Sequence, residues 1–405
     1  GNYRQNNFTV DGSDFNNQFG IGSNLPAGGS PISIDAIEEV SVNVTPYDVR
    51  MSGFVGSAIN AVTRSGRNDF FGNAFFGFRN ESNQGNKVGG NNIVLQPLDE
   101  TQYSLSLGGP IIKNKLFFFA NIDRTSQVRP GQSRMAASPS APFGSNPNIA
   151  RPTMSELDNI RSYLMRTYNY DPGIYQGYAN ESYNNKILAR LDWNINKDHR
   201  FNIRYNQVES ATPSFISTST SGTGFNFPNN GGRNNPGHLH FSNSNYTQEA
   251  NQYSLAAELN SSFGSKLSNT LRGSFTHQND PRGSESDVFP LVDIMKDGTA
   301  FTTFGYEPFT YGNLRDVQTY SFTDNLTMSL GNHELTLGLQ MDFSTTKNGF
   351  QRFGTGAYRF NSWDDFVNGA KPSDYAITYS LSPGYAQAFP TFKFQQYSAY
   401  FQDNF

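Results

Sequence analysis

Hydrophobic and polar residues alternate strictly along several segments of the chain. In the clearest of these, between positions 187 and 195, one face carries Ile187, Ala189, Leu191, Trp193 and Ile195, and the other carries Arg190, Asp192 and Asn194. The segments 201–206, 253–259 and 334–343 repeat this pattern. A period of two indicates a β-strand, and about ten residues is the length that a tilted strand needs to cross a bilayer. The pattern therefore predicts membrane-crossing strands with one lipid-facing side.

Short and long connections alternate between the predicted strands. We predict ten strands, near 70–80, 101–110, 115–126, 184–195, 200–210, 249–262, 266–278, 317–330, 333–346 and 395–405. Tight turns are predicted near 112–114, 196–199, 263–265 and 331–332, and long polar connections separate these hairpins. Loops longer than about 15 residues are uncommon in compact soluble domains, whereas short turns alternating with long outer loops are typical of outer-membrane barrels. The order favours an all-β, antiparallel transmembrane β-barrel over a soluble sandwich, propeller or β-helix.

Residues 1–66 have a different pattern. We predict a strand at 8–10 that runs into an Asp-Gly turn, a polar loop over 13–33, and a segment at 34–40 that begins as a helical turn and continues as a strand. A second strand covers 59–64. We expect this module, which is poor in large apolar residues, to pack inside something larger. Residues 65–68 would then cross to the barrel, residues 67–405, at the end of the short turns, which places the long loops outside the cell.

Composition excludes several classes of protein. Aromatic residues make up 14% of the chain, whereas the hydrophobic fraction is 36%, a combination that suits neither a large soluble core nor a disordered chain. There are no cysteines, so a disulfide framework and a cysteine zinc site are excluded. The net charge of −4 gives no reason to expect nucleic acid as a partner. The polar N-terminal residues contain no signal peptide, so we expect a mature or trimmed chain.

Several motifs resemble one family. Gly56, Ile59, Asn60, Thr63 and Arg64 match a G-x-x-I-N-x-x-T-[KR] signature. Further matches are the V-D-G at 10–12, the I-D-A-I-E-E-V at 34–40, the LGGPIIKNKLFFF at 107–119, the FGYEPFT at 304–310 and the FNSWDDF at 360–366. Together they resemble TonB-dependent outer-membrane receptors, and in particular their Oar-like branch of the Bacteroidota type.

The resemblance implies a barrel of about 22 strands filled by a plug domain. Residues 1–66 would be the C-terminal part of the plug, and 67–405 the N-terminal part of the barrel. We expect the remaining strands, the first half of the plug and the energy-coupling box outside this chain, because ten strands cannot enclose such a module. The implied function is active transport across the bacterial outer membrane, with the TonB–ExbB–ExbD motor and membrane lipids as partners. Peptides or proteins are the suggested ligands, and no residue identifies one.

A rival interpretation is a structural protein. The barrel would anchor surface lipoproteins or a secretion complex, and its long loops would be docking surfaces. A passive porin is disfavoured because a plug blocks the channel.

Two sets of residues are candidates for function. Charged residues on the predicted inner face would hold the plug by ion pairs or line a substrate path; they are Arg190, Arg204, Arg272, Asp192, Glu258 and Asp342. Arg50 and Arg64 on the plug side would supply their partners. Tyr306, Phe309 and Tyr311, in one long loop, are either ligand contacts or packing residues.

No catalytic or cofactor motif accompanies these residues. His238 and His240 lie in a predicted loop and are interpreted as incidental polarity rather than a metal site. Asp364 and Asp365 are interpreted in the same way. No Ser-His-Asp, G-x-S-x-G or phosphate-loop spacing is present, so we predict neither an enzyme nor a cofactor. A helix is predicted at 154–168, with Ser155 as its cap.

Overall fold

The computed structural model describes residues 5–17, 30–44, 48–51, 56–92, 95–219 and 231–405. The strands, in chain order, are β1 (Asn7–Val10), β2 (Ser13–Asp14), β3 (Ile37–Asn43), β4 (Ala58–Thr63), β5 (Phe71–Asn80), β6 (Lys87–Val88), β7 (Asn91–Asn92), β8 (Asp99–Ile112), β9 (Leu116–Pro130), β10 (Met135–Ala137), β11 (Ile149–Thr153), β12 (Ala179–Asn194), β13 (His199–Ser214), β14 (Leu239–His240), β15 (Tyr246–Glu249), β16 (Asn251–Phe263), β17 (Leu267–Gly283), β18 (Leu291–Lys296), β19 (Thr299–Phe304), β20 (Leu314–Leu330), β21 (His333–Gly349), β22 (Ala357–Phe360), β23 (Asp374–Ala376) and β24 (Thr391–Asn404). The α-helices are α1 (Met154–Tyr168) and α2 (Trp363–Val367).

One large sheet forms a curved wall. Its order is β24-β21-β20-β17-β16-β13-β12-β9-β8-β5, with every neighbouring pair antiparallel; the short β15 extends β16 beyond Ala250. The ten predicted strands are therefore confirmed, each within a few residues of its predicted ends. Each wall strand pairs with the wall strands before and after it in the chain, whether a short turn or a long connection joins them, as in an up-and-down barrel.

The wall buries its polar face and exposes its apolar face. On β8, Leu105 and Leu107 are 59% and 50% exposed, whereas Ser104 and Ser106 are 4% and 3% exposed. A water-soluble sheet would show the opposite arrangement. The outward apolar face matches the lipid-facing band of a transmembrane barrel. In the part of the chain that the structure describes, no helix has the length and apolarity to cross a membrane.

The short turns share one end of the wall, called here the turn side. There Asn68, between β4 and β5, exchanges hydrogen bonds with Asn114 in the β8–β9 turn: Asn68 Nδ2 donates to Asn114 Oδ1 at 2.6 Å, and Asn114 N donates to Asn68 Oδ1 at 2.7 Å. The chain thus enters the wall at the turn side, where the linker was predicted.

A small sheet at the N-terminus, called here the N-terminal sheet, has the order β2-β1-β4-β3, with β1 parallel to β4. Residues 34–36 form one 3₁₀ turn that leads into β3, as predicted. The core of this sheet contains Val10, Phe15 and Ile32, and it includes Phe119 and Leu188 from the wall. Of the predicted polar loop 13–33, residues 18–29 lie outside the described residues.

At the opposite end, the long connections form a packed unit, called here the loop layer. A five-stranded sheet, β14-β19-β18-β22-β23, draws its strands from three different connections, and α1 packs against the same core. Leu157 and Leu164 of α1, Leu239, Phe241 and Phe304 are all fully buried. The connections predicted as polar loops therefore contain a hydrophobic core. Of the predicted loop 211–236, residues 211–214 belong to β13, and 220–230 lie outside the described residues.

The predicted helix at 154–168 is confirmed, but its predicted cap is wrong. Thr153 caps α1: its Oγ1 accepts a hydrogen bond from Glu156 N, and the Glu156 carboxylate accepts one from Thr153 N. This capping box satisfies two backbone N–H groups that otherwise have no partner in the helix. Ser155 lies one residue inside the first turn and is exposed.

Candidate functional site

The site is built around a tight turn between β1 and β2. Asp11 and Gly12 both adopt left-handed backbone conformations, with φ of 46° and 73°. An Asp-Gly pair favours this turn because aspartate tolerates the left-handed region and glycine has no Cβ. The last residue of β4 orients the carboxylate: Thr63 N donates to Asp11 Oδ1 at 2.8 Å, and Thr63 Oγ1 donates to Oδ2 at 2.7 Å.

The other signature residues support the same turn. Asn60 Oδ1 accepts hydrogen bonds from Gly12 N at 2.9 Å and from Thr9 Oγ1 at 2.8 Å. Ile59 pairs with Phe8 of β1. A Cβ on Gly56 would lie 2.3 Å from Asn6 Oδ1, so only glycine fits there without a shift. The signature thus assembles the N-terminal sheet and presents Asp11 to the wall.

Two arginines of the wall meet Asp11. Arg204 Nη1 lies 2.9 Å from Asp11 Oδ2, and Arg190 Nη1 lies 3.6 Å from Oδ1. Arg190 also donates to Thr63 O at 3.1 Å and to Thr63 Oγ1 at 2.8 Å, and its Nη2 lies 2.8 Å from Asp192 Oδ1. Two guanidinium groups therefore face two carboxylates at the interface between the N-terminal sheet and the wall. The side chain of Arg204 is only 1% exposed, so its charge depends on Asp11 for compensation.

A second group of predicted residues lines a cavity of about 660 Å³ between the N-terminal sheet and the strands β16 to β24. Arg272 and Glu258 form an ion pair across β16 and β17, and the Arg272 guanidinium lies against Gly12. Asp342 accepts a hydrogen bond from Gln340 Nε2 at 2.9 Å. The lining also includes Asn60 of the signature. The polar lining of this cavity suits an aqueous lumen.

The arginines of the N-terminal segment have different partners from those expected. Arg50 pairs with Asp48, two residues before it, at 2.6 Å, and Arg64 Nε lies 3.7 Å from Glu38 and donates to Ile37 O at 3.1 Å. Each arginine has a carboxylate close to it within the N-terminal segment, and it pairs with that carboxylate rather than with one of the wall. Asp11 is the carboxylate that the N-terminal segment supplies to Arg190 and Arg204. The sequence placed Asp11 in a turn and in the V-D-G motif and did not mark it as an ion-pair partner.

The comparisons with known proteins agree with this architecture. Residues 62–405 match the model of the outer membrane beta barrel domain. The chain belongs to this family. It is therefore a protein of the bacterial outer membrane, as predicted.

The chain is also similar to individual outer-membrane transporters and receptors. The chain is 29% identical over 218 residues to the TonB-dependent transporter Oar of Myxococcus xanthus, covering 51% of this chain and 19% of that protein. Its fold resembles the outer-membrane transporter YddB of Escherichia coli, with a TM-score of 0.62 and 12% identity over 99% of this chain and 46% of that one. The siderophore receptor PirA of Acinetobacter baumannii is also similar, with a TM-score of 0.51 and 12% identity over 99% of this chain and 46% of that one. The chain thus spans about a fifth of Oar and less than half of these structures.

In this outer-membrane barrel, the aromatic candidates lie in the loop layer. Phe309 is 9% exposed, and its ring packs at 6.2 Å from Phe350 and 5.8 Å from Phe353. Tyr306 and Tyr311 contact each other edge to face at 6.1 Å. These contacts support the alternative that the aromatic residues pack within the loop.

Sequence reasoning missed Glu307, which organises this turn. Its Oε2 accepts hydrogen bonds from Phe309 N at 2.9 Å and from Thr310 Oγ1 at 2.6 Å. The residue is fully buried, and burial raises the pKa of this carboxyl group above its usual range. Glu307 comes directly before Pro308 and three residues before Thr310, and this spacing was the available signal for such a turn.

The sequence suggested that His238 and His240 are incidental polar residues of a loop, but the structure gives both of them buried hydrogen-bonded positions. Both are buried in the loop layer, where His238 Nε2 lies 2.9 Å from Thr303 Oγ1 and His240 Nε2 lies 2.8 Å from Asn245 Oδ1. Burial lowers the pKa of both imidazoles, to about 4 for His240. Among the described residues, no group of three metal-ligating side chains comes together around them.

Proposed function

We propose that the chain is part of a TonB-dependent transporter, and that residues 1–66 are the C-terminal part of its plug. The observation that carries this proposal is the position of the N-terminal sheet, which lies against the polar inner face of the wall. A protein that only spanned the membrane would not need a separate sheet there.

The contacts between the sheet and the wall suit a module that moves. Many of them are polar and lie beside a small apolar cluster that includes Phe119 and Leu188 of the wall. Besides the Asp11 pairs, Ser33 Oγ donates to Asp123 Oδ2 at 2.9 Å, and Gln278 Nε2 donates to Asn16 O at 2.9 Å. Water can replace such contacts, because hydrogen bonds and ion pairs contribute only a small net stability against a solvated alternative. A wide apolar interface would resist separation more strongly.

In this proposal, the motor TonB–ExbB–ExbD of the inner membrane pulls the plug and opens a path along the cavity. The outer membrane has no energy source of its own, so accumulation of a ligand needs work from outside it. The similarity to the TonB-dependent transporter Oar supports this assignment. The finer assignment to an Oar-like branch of the Bacteroidota type rests on the sequence motifs alone. The long loops would face outward, and the turn side would face the periplasm.

Cysteine labelling tests the movement, since these 405 residues contain no cysteine. Ser33 is only 2% exposed between sheet and wall, so Ser33→Cys in the full-length protein should be protected. In cells, we expect a small maleimide that reaches both sides of the outer membrane to label it faster when the motor is present than when TonB is deleted. Ser65→Cys in the exposed linker should label equally in both strains. Equal labelling of Ser33→Cys with and without TonB would refute the proposal.

A further inference from the structure

The loop layer contains a pocket that shares no lining residue with the cavity behind the wall. Its volume is about 480 Å³, within the range of about 300–1,000 Å³ that is usual for sites of small organic ligands. Three connections build it: α1 lies on one side, the β18–β19 hairpin on another, and residues 361–364 complete it. We call it the loop-side pocket. Because it forms only when three connections pack together, no single stretch of sequence shows it.

The base of the pocket is apolar. Ile160, Ile294, Met295 and Phe301 line it and are each at most 4% exposed, and the indole of Trp363 joins them. Trp363 is held in place by aromatic neighbours, with its ring 5.3 Å from that of Tyr163. A pre-formed base of this kind favours an apolar or aromatic group on the ligand and gives no site for a bare inorganic ion.

The rim carries three carboxylates and one ammonium group. Lys296 Nζ lies 3.0 Å from Glu156 Oε1 and 4.8 Å from the centroid of the Phe301 ring, so Lys296 and Glu156 compensate each other. Asp297 has only a distant partner, Arg151 at 3.7 Å, and its side chain is 82% exposed. Within the described ranges, Asp364 forms no ion pair. The rim therefore has an excess of negative charge.

We propose that the loop-side pocket binds a small organic cation with an apolar or aromatic body. The apolar base would take the body of the ligand. The carboxylate of Asp364, assisted by Asp297, would attract its positive group, and the exposed amides of Asn159 and Asn361 would offer further hydrogen bonds at the rim. The proposal does not depend on transport, because the pocket lies wholly within the loop layer.

Calorimetric titration of the purified full-length protein in detergent tests this inference. The probes are three capped dipeptides, acetyl-Phe-Lys-amide, acetyl-Phe-Gln-amide and acetyl-Phe-Glu-amide, which share an aromatic body and differ in charge. We expect the affinity to fall in that order and the advantage of the lysine probe to shrink as the salt concentration rises. Equal affinity of the three probes, or binding of methyl glucoside in place of all three, would overturn the proposal.

Matched charge variants locate the binding. Asp364→Asn should weaken the lysine probe about two- to fivefold while leaving the glutamine probe unchanged, as expected for one exposed carboxylate. Asp297→Asn should have a smaller effect because Arg151 already compensates part of its charge. Asp287→Asn removes the same charge from an exposed position of the loop layer outside the pocket, and it should change neither affinity. If Asp287→Asn weakens the lysine probe as much as Asp364→Asn, the attraction is general and the pocket is not the site.

Discussion

Arg190 and Arg204 lie directly opposite each other on the neighbouring strands β12 and β13. Like charges in this position repel and destabilise a sheet. Here the carboxylate of Asp11, from the N-terminal sheet, contacts both guanidinium groups. Asp192 of the wall compensates Arg190 as well, and the docked module supplies the carboxylate that Arg204 contacts. The stability of the wall is thereby coupled to the presence of that module.

The first prediction concerns this charge. Asp11→Asn keeps an oxygen for one of the two Thr63 hydrogen bonds. It removes the carboxylate that Arg204 contacts and leaves Arg190 with Asp192 alone. Removing one partner of a buried ion pair costs about 3–5 kcal/mol, so we expect the N-terminal sheet to lose much of its hydrogen-exchange protection in the full-length protein. The exposed Asp69→Asn is the matched control. Adding Arg204→Gln to Asp11→Asn should restore part of the protection, and equal loss in the single and double variants would contradict this account.

A second prediction separates backbone strain from a steric contact. Gly12 and Gly331 have φ of 73° and 67°, so alanine is strained at both positions. A Cβ at Gly12 would lie 2.1 Å from Arg272 Nη1, whereas one at Gly331 meets nothing within 4 Å. We expect Gly12→Ala to lower the melting temperature more than Gly331→Ala, because it also displaces Arg272 from Glu258. Equal melting temperatures for the two variants would show that the contact with Arg272 contributes nothing.

The helix cap gives a third prediction. Thr153→Ala removes the capping box of α1 and should destabilise the loop layer by about 0.5–2 kcal/mol. Ser155→Ala removes an exposed hydroxyl two residues further along the chain and should have almost no effect. Hydrogen exchange of the α1 amides would measure both, and the reverse ranking would make Ser155 the true cap.

A fourth prediction concerns acid. Burial holds the pKa of His240 at about 4, below its ordinary value of 6.5, and lowers that of His238 as well; Arg134 and Arg233 add to both effects. The unfolded loop layer therefore binds protons at a higher pH than the folded one. Stability should be complete above pH 6.5 and should fall between pH 6.5 and about 4.

Limited proteolysis of the full-length protein measures this dependence. We expect cleavage within the loop layer to rise as the pH falls from 7.5 to 4.5, once corrected for the activity of the protease. His240→Gln keeps a hydrogen-bond donor for Asn245 without the titration and should flatten the profile. His333→Gln, at an exposed position near the turn side, should not. An unchanged profile in His240→Gln would exclude His240 as the source.

The wall could be predicted from the pattern of residues alone. Every wall strand has lipid on one side and polar surroundings on the other, so each carries the same alternation, and the contrast between short turns and long connections orders the strands. The signature from Gly56 to Arg64 likewise identified the last strand of the N-terminal sheet. These features are local or repeated, and a local pattern needs no knowledge of distant contacts.

Which charged residues meet, and what the long connections form, depends on contacts between distant parts of the chain. Arg190 and Arg204 face each other because of the register of β12 and β13, and Asp11 reaches them because the N-terminal sheet docks at that height. The loop layer shares one core among connections that are mostly polar, and the helix at 154–168 is the periodic segment that we predicted within them. Many combinations of such segments could pack together, and the residues of one segment do not show which other segments it contacts. The contacts therefore have to be read from the structure.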